Sequence, residues 1–195
     1  MSDTFFSGGY FGNKFFVKVP LERIGVLIGE KGSVKERIES SLGVLLSIDS
    51  KNGSVVIEPA TPGTNAENLI KARDIVRAIA IGFSPERAFR LLDEDQVLTV
   101  IDLKEIVGNT QHLTRIKARL IGEKGKTRRI LEETTGAYVN IGDTVVGIIG
   151  DYEQTEIARQ AISMLIEGRP HSVVYSFLER ATRQLKRRRI TGLWQ

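Results

Sequence analysis

The stretch Ile28-Gly29-Glu30-Lys31-Gly32 recurs, letter for letter, as Ile121-Gly122-Glu123-Lys124-Gly125, 93 positions further on. Around the first copy, Leu21 to Ile28 is apolar-periodic and stops at Gly29, which reads as a short helix. Ser33 to Leu42 follows with Val34, Ile38 and Leu42 at four-residue intervals, a second helix that Gly43 ends. Ser33-Val34-Lys35-Glu36 has the S-x-x-E form of a capping box at its start. Around the second copy, Leu113 to Ile121 reads as the helix before the loop and Thr127 to Thr135 as the helix after it, with Gly136 as the stop.

Before the first copy, Lys14 to Pro20 reads as a strand. Val44 to Ile48 and Ser54 to Ile57 read as two more, joined through Asn52-Gly53, a hairpin signal. Ala66 to Ile81 is a longer helix with Leu69, Ala72, Ile75, Val76 and Ile79 on one face, and Ser84-Pro85 opens another that runs to about Leu92. The second half repeats this order: strand Val97–Leu103, a connection through Gly108-Asn109, the helix–loop–helix, strands Ala137–Ile141 and Val145–Ile149, a helix Thr155–Glu167 and a last one within Pro170–Arg189. At the offset of 93, Ile38-Glu39 matches Leu131-Glu132, Gly43 matches Gly136 and Ile48 matches Ile141. At an offset of 86, Ala72-Arg73 matches Ala158-Arg159, Gly82 matches Gly168 and Leu91 matches Phe177. Two copies of one β-α-α-β-β-α unit, each with an extra trailing helix, account for both offsets.

Composition sets the class. With 195 residues, 41% hydrophobic and 27% charged, the chain suits an ordinary soluble globular protein with room for a real core. No apolar run nears the ~20 residues a membrane span needs, and the first residues have no signal-peptide pattern, so a cytoplasmic protein is expected. There is no cysteine, hence no disulfide or thiolate metal site. Residues 1–95 carry a net charge of −1 and residues 96–195 a net of +5, so a polyanion would find more attraction in the second half.

A helix, a Gly-x-x-Gly loop, a second helix and then strands resembles the KH module in its first topological type. The resemblance is carried by Leu27-Ile28-Gly29-Glu30-Lys31-Gly32 and Leu120-Ile121-Gly122-Glu123-Lys124-Gly125, with Gly43-Val44 and Gly136-Ala137 entering the next strand. It implies an α+β fold of two tandem type I KH domains, each a three-stranded antiparallel sheet backed by helices. The expected layout is a flexible tail over 1–13, domains over 14–93 and 94–187, and a basic tail over 188–195. Two such units with little else are similar to the archaeal relatives of the partner-of-Nob family, whose members assist small ribosomal subunit maturation. That resemblance implies binding of single-stranded RNA at the 3′ end of the small-subunit RNA, with a Nob-type endonuclease or an initiation factor subunit as protein partner. An alternative is a scaffold or translational regulator that uses the KH fold mainly against proteins.

The residues argue for the same chemistry. Glycines at both ends of a loop let a backbone approach a ribose-phosphate chain, and the helix that follows presents unpaired N–H groups to phosphate. The expected RNA-binding residues are Ile28, Gly29, Glu30, Lys31, Gly32 and Lys35 in the first unit. In the second they are Arg119, Ile121, Gly122, Glu123, Lys124, Gly125, Lys126, Arg128 and Arg129. Arg115 and Lys117 add charge before the second loop, whereas Glu36 and Glu39 dilute it after the first, so the second unit is expected to bind RNA more strongly. Ile38, Ile48, Leu131 and Ile141 are candidates for an apolar base groove or for core. Tyr138 and Asn140 are candidates for base contacts, packing or surface, and the cluster from Arg180 to Arg189 for an RNA-contacting helix end or a solvated tail. Gly125-Lys126-Thr127 resembles the end of a P-loop, but the required first glycine falls at Leu120. His112 and His171 are isolated and no carboxylate pair stands out, so no catalytic residue, metal site or cofactor is expected.

Overall fold

Lys14 to Lys18 alternates Phe15 and Val17, both buried, with outward Lys14, Phe16 and Lys18, so it enters a sheet with one face on a core. The computed structural model that shows this describes residues 10–11, 14–108 and 110–192. The chain divides into two units, Met1–Asp93 and Glu94–Gln195, and each is described by itself.

In the first unit, strands β1 (Tyr10–Phe11) and β2 (Lys14–Lys18) are followed by helix α1 (Leu21–Ile28), a 3₁₀ turn over Glu30–Gly32 and helix α2 (Ser33–Leu42). Strands β3 (Val44–Asp49) and β4 (Ser54–Pro59), helix α3 (Ala66–Ile81) and the short helix α4 (Pro85–Ala88), which tightens into a 3₁₀ turn over Phe89–Leu92, complete it. The strands are antiparallel in the order β1-β2-β4-β3. Of the flexible tail expected over 1–13, Tyr10 and Phe11 instead form β1, which pairs Tyr10 with Phe15 and makes this sheet four-stranded. The rest of that expectation lies outside the described residues. One face of the sheet packs on the helices, α3 on β2 and β4 and α2 on β3, and Val17, Leu46, Val55 and Ile57 of the strands are buried along with Ile24, Leu27, Ile38, Ile75 and Ile79 of the helices.

In the second unit, β5 (Val97–Asp102) leads into helix α5 (Leu103–Val107) and helix α6 (Thr110–Ile121). A 3₁₀ turn over Glu123–Gly125 precedes α7 (Lys126–Thr135), and β6 (Tyr138–Ile141), β7 (Val145–Gly150), α8 (Tyr152–Ile166) and α9 (His171–Gly192) follow. The sheet order is β5-β7-β6, antiparallel throughout. Helix α5 replaces the connection expected before Gly108, because Asp102 caps it by accepting from the N–H groups of Lys104 at 2.8 Å and Glu105 at 3.3 Å. Helix α8 starts before the expected Thr155 because Asp151 and Gln154 form a capping box, with bonds of 2.9 and 3.1 Å. Of the basic tail expected over 188–195, residues 188–192 instead continue α9 to Gly192, and residues 193–195 lie outside the described residues. The core joins Ile116, Leu120, Leu131, Val139, Val146, Ile148, Ile162, Leu165, Val174 and Leu178, so α9 belongs to the packed body of this unit.

Both units thus carry β-α-α-β-β-α in the same order. In both, the strand after the second helix, β3 or β6, lies at the edge of its sheet.

Candidate nucleic-acid interface

The two loops are conformational twins. Gly29, Lys31 and Gly32 have φ of 76°, 52° and 84°, and Gly122, Lys124 and Gly125 have 73°, 49° and 76°. Gly32 N–H donates to Gly29 O and Gly125 N–H to Gly122 O, each at 3.2 Å. Lys31 and Lys124 are the described non-glycine residues with positive φ. That left-handed conformation costs a side-chain-bearing residue ~1–2 kcal/mol, which the flanking helices impose. Both lysines are exposed and carry their charge at the tip of the loop.

The glycines of each pair differ in task. A Cβ on Gly29 would meet Val34 Cγ2 at 2.5 Å and Val34 N at 2.8 Å, and one on Gly122 would meet Thr127 Oγ1 at 2.2 Å and Thr127 N at 2.7 Å. The first glycine therefore lets the next helix start against the end of the last. A Cβ on Gly32 or Gly125 would meet nothing within 4 Å. The second glycine is the one open to a ligand.

Gly32 and Gly125 are also the N-caps of α2 and α7, and no side chain caps either helix. The capping box expected at Ser33–Glu36 is therefore absent: Ser33 is the first residue inside the helix, one position too far on to cap it. Backbone carbonyls of the loop take the first N–H groups, Ser33 donating to Glu30 O and Lys126 to Glu123 O, and the positive end of each helix dipole points at the loop, an arrangement suited to an anion.

The flanking basic residues separate into those that can reach a ligand and those that are engaged. Lys126, which follows the second loop, is exposed, and so is Arg115 on the helix before it. Lys35 is 3.8 Å from Glu39, Arg128 is 3.7 Å from Glu132 and Arg129 is 3.9 Å from Glu133, loose i,i+4 pairs on or near the surface. Such pairs are worth at most ~0.5 kcal/mol and can yield to phosphate. Lys117 pairs with Asp143 at 3.1 Å. Arg119 is engaged within the protein, donating Nε to Leu165 O at 3.2 Å and a terminal nitrogen to Arg169 O at 2.6 Å. In the first unit Arg23 does the same for Ile79 O at 2.8 Å and Phe83 O at 2.5 Å. Burial lowers the Arg23 guanidinium pKa from its ordinary value, opposed by the nearby Glu22. The carbonyls are equivalent in the two repeats, but the arginines come from helix positions three residues apart, so no alignment of the repeats pairs them.

Beside the loops, Ile28 is half-buried and Ile121 is 38% exposed, so both are accessible next to the first glycine. Ile38 and Leu131 are completely buried and are core, not groove. Ile48 and Ile141 are half-buried at the edge strands, and Tyr138 and Asn140 are half-buried on β6. Sequence reasoning missed Glu39 and Glu132. Glu39 accepts from Leu46 N–H at 2.7 Å and Glu132 from Val139 N–H at 2.9 Å, joining the helix after each loop to the edge strand. Their identical place in both repeats was the available signal. A second omission is Tyr175, whose hydroxyl lies 3.2 Å from Thr127 Oγ1, linking α9 to the first turn of α7.

This fold and this loop define a KH-type α+β protein. A family model described as "Eukaryotic type KH-domain (KH-domain type I)" matches residues 97–183, the body of the second unit. A KH domain-containing protein of Methanocaldococcus jannaschii is 44% identical over 92% of this chain and 78% of its own length. The RNA-binding protein pno-1 of Caenorhabditis elegans is 29% identical over 87% of this chain, which spans only 62% of that protein. A pre-rRNA-processing protein PNO1 of Coccidioides immitis is 28% identical over 88% of this chain and 68% of its own length. Among solved structures, Dim2p from Pyrococcus horikoshii superposes with a TM-score of 0.80 at 47% identity, covering 87% of this chain and 99% of that one. A chain in the a/eIF2alpha-aDim2p-rRNA complex of the same organism also gives 0.80, at 46% identity, over 88% and 94%. The chain belongs to the Pno-like family of KH domain-containing proteins.

Proposed function

We propose that this protein binds single-stranded RNA as a maturation factor for the small ribosomal subunit, acting at the 3′ end of its RNA in the cytoplasm. Both units work as type I KH domains, and each clamps phosphates with its Gly-x-x-Gly loop. The observation that carries the reading is the paired geometry of an exposed lysine, an open second glycine and a helix N-terminus with no side-chain cap, formed twice with matching backbone angles. Such a clamp takes about four nucleotides of single strand. The names of the relatives, pre-rRNA-processing and RNA-binding, support the substrate class. The reading is of a binding protein, not an enzyme.

Lys31, Gly32, Lys124 and Gly125 carry the phosphate contacts, with Lys35, Lys126, Arg128 and Arg129 adding charge and Ile28 and Ile121 meeting the first base. The second loop is the stronger site, because exposed Lys126 follows it directly and exposed Arg115 lies on the helix before it. A protein partner is the second reading. The solved complex of a/eIF2alpha, aDim2p and rRNA favours an initiation factor subunit over a Nob-type endonuclease.

Binding of short single-stranded oligoribonucleotides at two salt concentrations tests the proposal. An RNA binder loses affinity steeply as salt rises. A protein scaffold shows little affinity at either concentration, and that result would remove the RNA reading.

A further inference from the structure

Helix α9 buries Val174, Leu178, Thr182 and Leu185 against α7 and α8. At 3.6 residues per turn, Arg180, Arg183 and Arg187 fall within roughly 40° of the line opposite that buried side. All three are exposed. No acidic residue follows Glu179 in the chain. Arg180 donates Nε to Ser176 O at 3.3 Å, while Arg183 and Arg187 make no ion pair among the described residues. Arg189 differs: it sits on the inner side and reaches Asp151 at 2.7 Å and Glu153 at 3.2 Å, at the start of α8. That pair ties the end of α9 to the body of the unit, so the outer arginines form a straight, anchored row. A helix dipole does not account for the row, because its pull on cations is confined to the last turn, and Arg180 and Arg183 lie well before it.

We infer that this row is a second RNA site of the second unit, which takes the phosphate backbone of a double-stranded segment continuing from the single strand held by that unit's loop. The inference rests on the RNA-binding reading of the loops. The chemistry selects a duplex over another single strand. Unpaired bases are held by stacking on rings, and the outer line of α9 carries Val173 and Ser176 before its arginines, Gln184 among them, and no aromatic residue. RNA duplexes are recognised through backbone shape and phosphates, for which a rigid row of guanidinium groups is sufficient.

The test uses the full chain and two RNAs: a single-stranded oligonucleotide, and the same oligonucleotide joined to a stable hairpin. Wild type should bind the joined RNA more tightly. The triple variant Arg180→Gln, Arg183→Gln, Arg187→Gln removes no packing, and circular dichroism would verify its fold. It should keep the single-strand affinity and lose the advantage of the joined RNA. Its log–log salt slope on the joined RNA should be shallower by about 2 to 3, roughly one per phosphate contact removed. Equal binding of the joined RNA by variant and wild type would overturn the inference and leave the row to an acidic protein surface. An equal loss on both RNAs would overturn it too, because the arginines would then serve the single-strand site. If wild type bound neither RNA, the loop reading itself would fail, whereas single-strand binding without gain from the hairpin would sink this inference alone.

Discussion

Glu132, on α7, accepts the backbone N–H of Val139, on the edge strand β6, at 2.9 Å. Glu39 makes the same bond to Leu46 at 2.7 Å in the first unit, so each repeat fastens the helix behind its loop to the exposed edge of its sheet. Glu132→Ala would leave that partly buried edge amide unpaired and should destabilise the protein by ~1–3 kcal/mol. Glu132→Gln keeps an acceptor oxygen and should cost clearly less. Urea unfolding of the two variants measures the difference, and equal losses would show that charge, not the acceptor, matters.

The glycine pairs should separate fold from binding. Gly122→Ala drives a Cβ into Thr127 backbone and side chain, so thermal unfolding should show the loss seen for overpacked cores, ~1–3 kcal/mol, plus strain from its positive φ. Gly125→Ala has open space and should cost only ~1 kcal/mol from its φ. In RNA titrations the ranking should reverse, with folded Gly125→Ala protein losing affinity because its new methyl group stands where the ribose-phosphate chain approaches.

The two loops should contribute unequally. Lys124→Asp with Gly125→Asp should abolish most single-strand binding, and Lys31→Asp with Gly32→Asp should reduce it less, as read by fluorescence anisotropy. The sign follows from exposed Lys126 directly after the second loop and exposed Arg115 on the helix before it. A larger loss from the first-loop variant would reverse the assignment.

Arg119→Ala should act on stability, not on RNA. Its guanidinium spans two carbonyls at the end of α8, so removal leaves both without that donor and should cost ~1–3 kcal/mol. Arg119→Lys should recover little, since one ammonium cannot reproduce the fork. The salt slope for RNA binding should stay at the wild-type value, whereas a phosphate ligand would lower it by about one.

Acid should find Glu156. Hydrogen bonds from Arg159 and Gln160 hold its carboxyl pKa down at about 2, from an ordinary 4.5. A depressed carboxylate contributes stability above its unfolded-state pKa and loses it as pH falls through the folded value. The contribution is therefore complete at neutral pH and fades between 4.5 and about 2. Glu156→Gln should flatten the pH dependence of stability within that window and leave it unchanged from pH 6 to 8. The effect should be small and weaken with salt, because the pair is exposed.

Much of this was legible in the letters. The pentapeptide, the apolar spacing around it and the two offsets revealed a duplicated helix–loop–helix unit, because periodicity and glycine stops are local properties. Boundaries failed where a cap lay outside the pattern. Asp102 capped a helix, α5, where a connection was expected, Asp151 started α8 early, and Ser33 offered a capping box that the backbone placed one residue too late to form. Ile38 and Leu131 have the same spacing whether they line a groove or a core, and only packing showed them fully buried.

The sequence alone determined that two equivalent loops exist and that each carries a lysine between glycines. Tertiary structure decided what the neighbouring charges do, since a guanidinium's role depends on which acceptors lie within ~3 Å of it. Arg119 stands three residues before Gly122 and is used up on the carbonyls of another helix, while Lys126, one residue beyond Gly125, stays in solvent. The two glycines of each pair look interchangeable in one dimension. In three, the first is pressed against the next helix and the second faces open space, and that contrast marks the side from which a phosphate chain can approach.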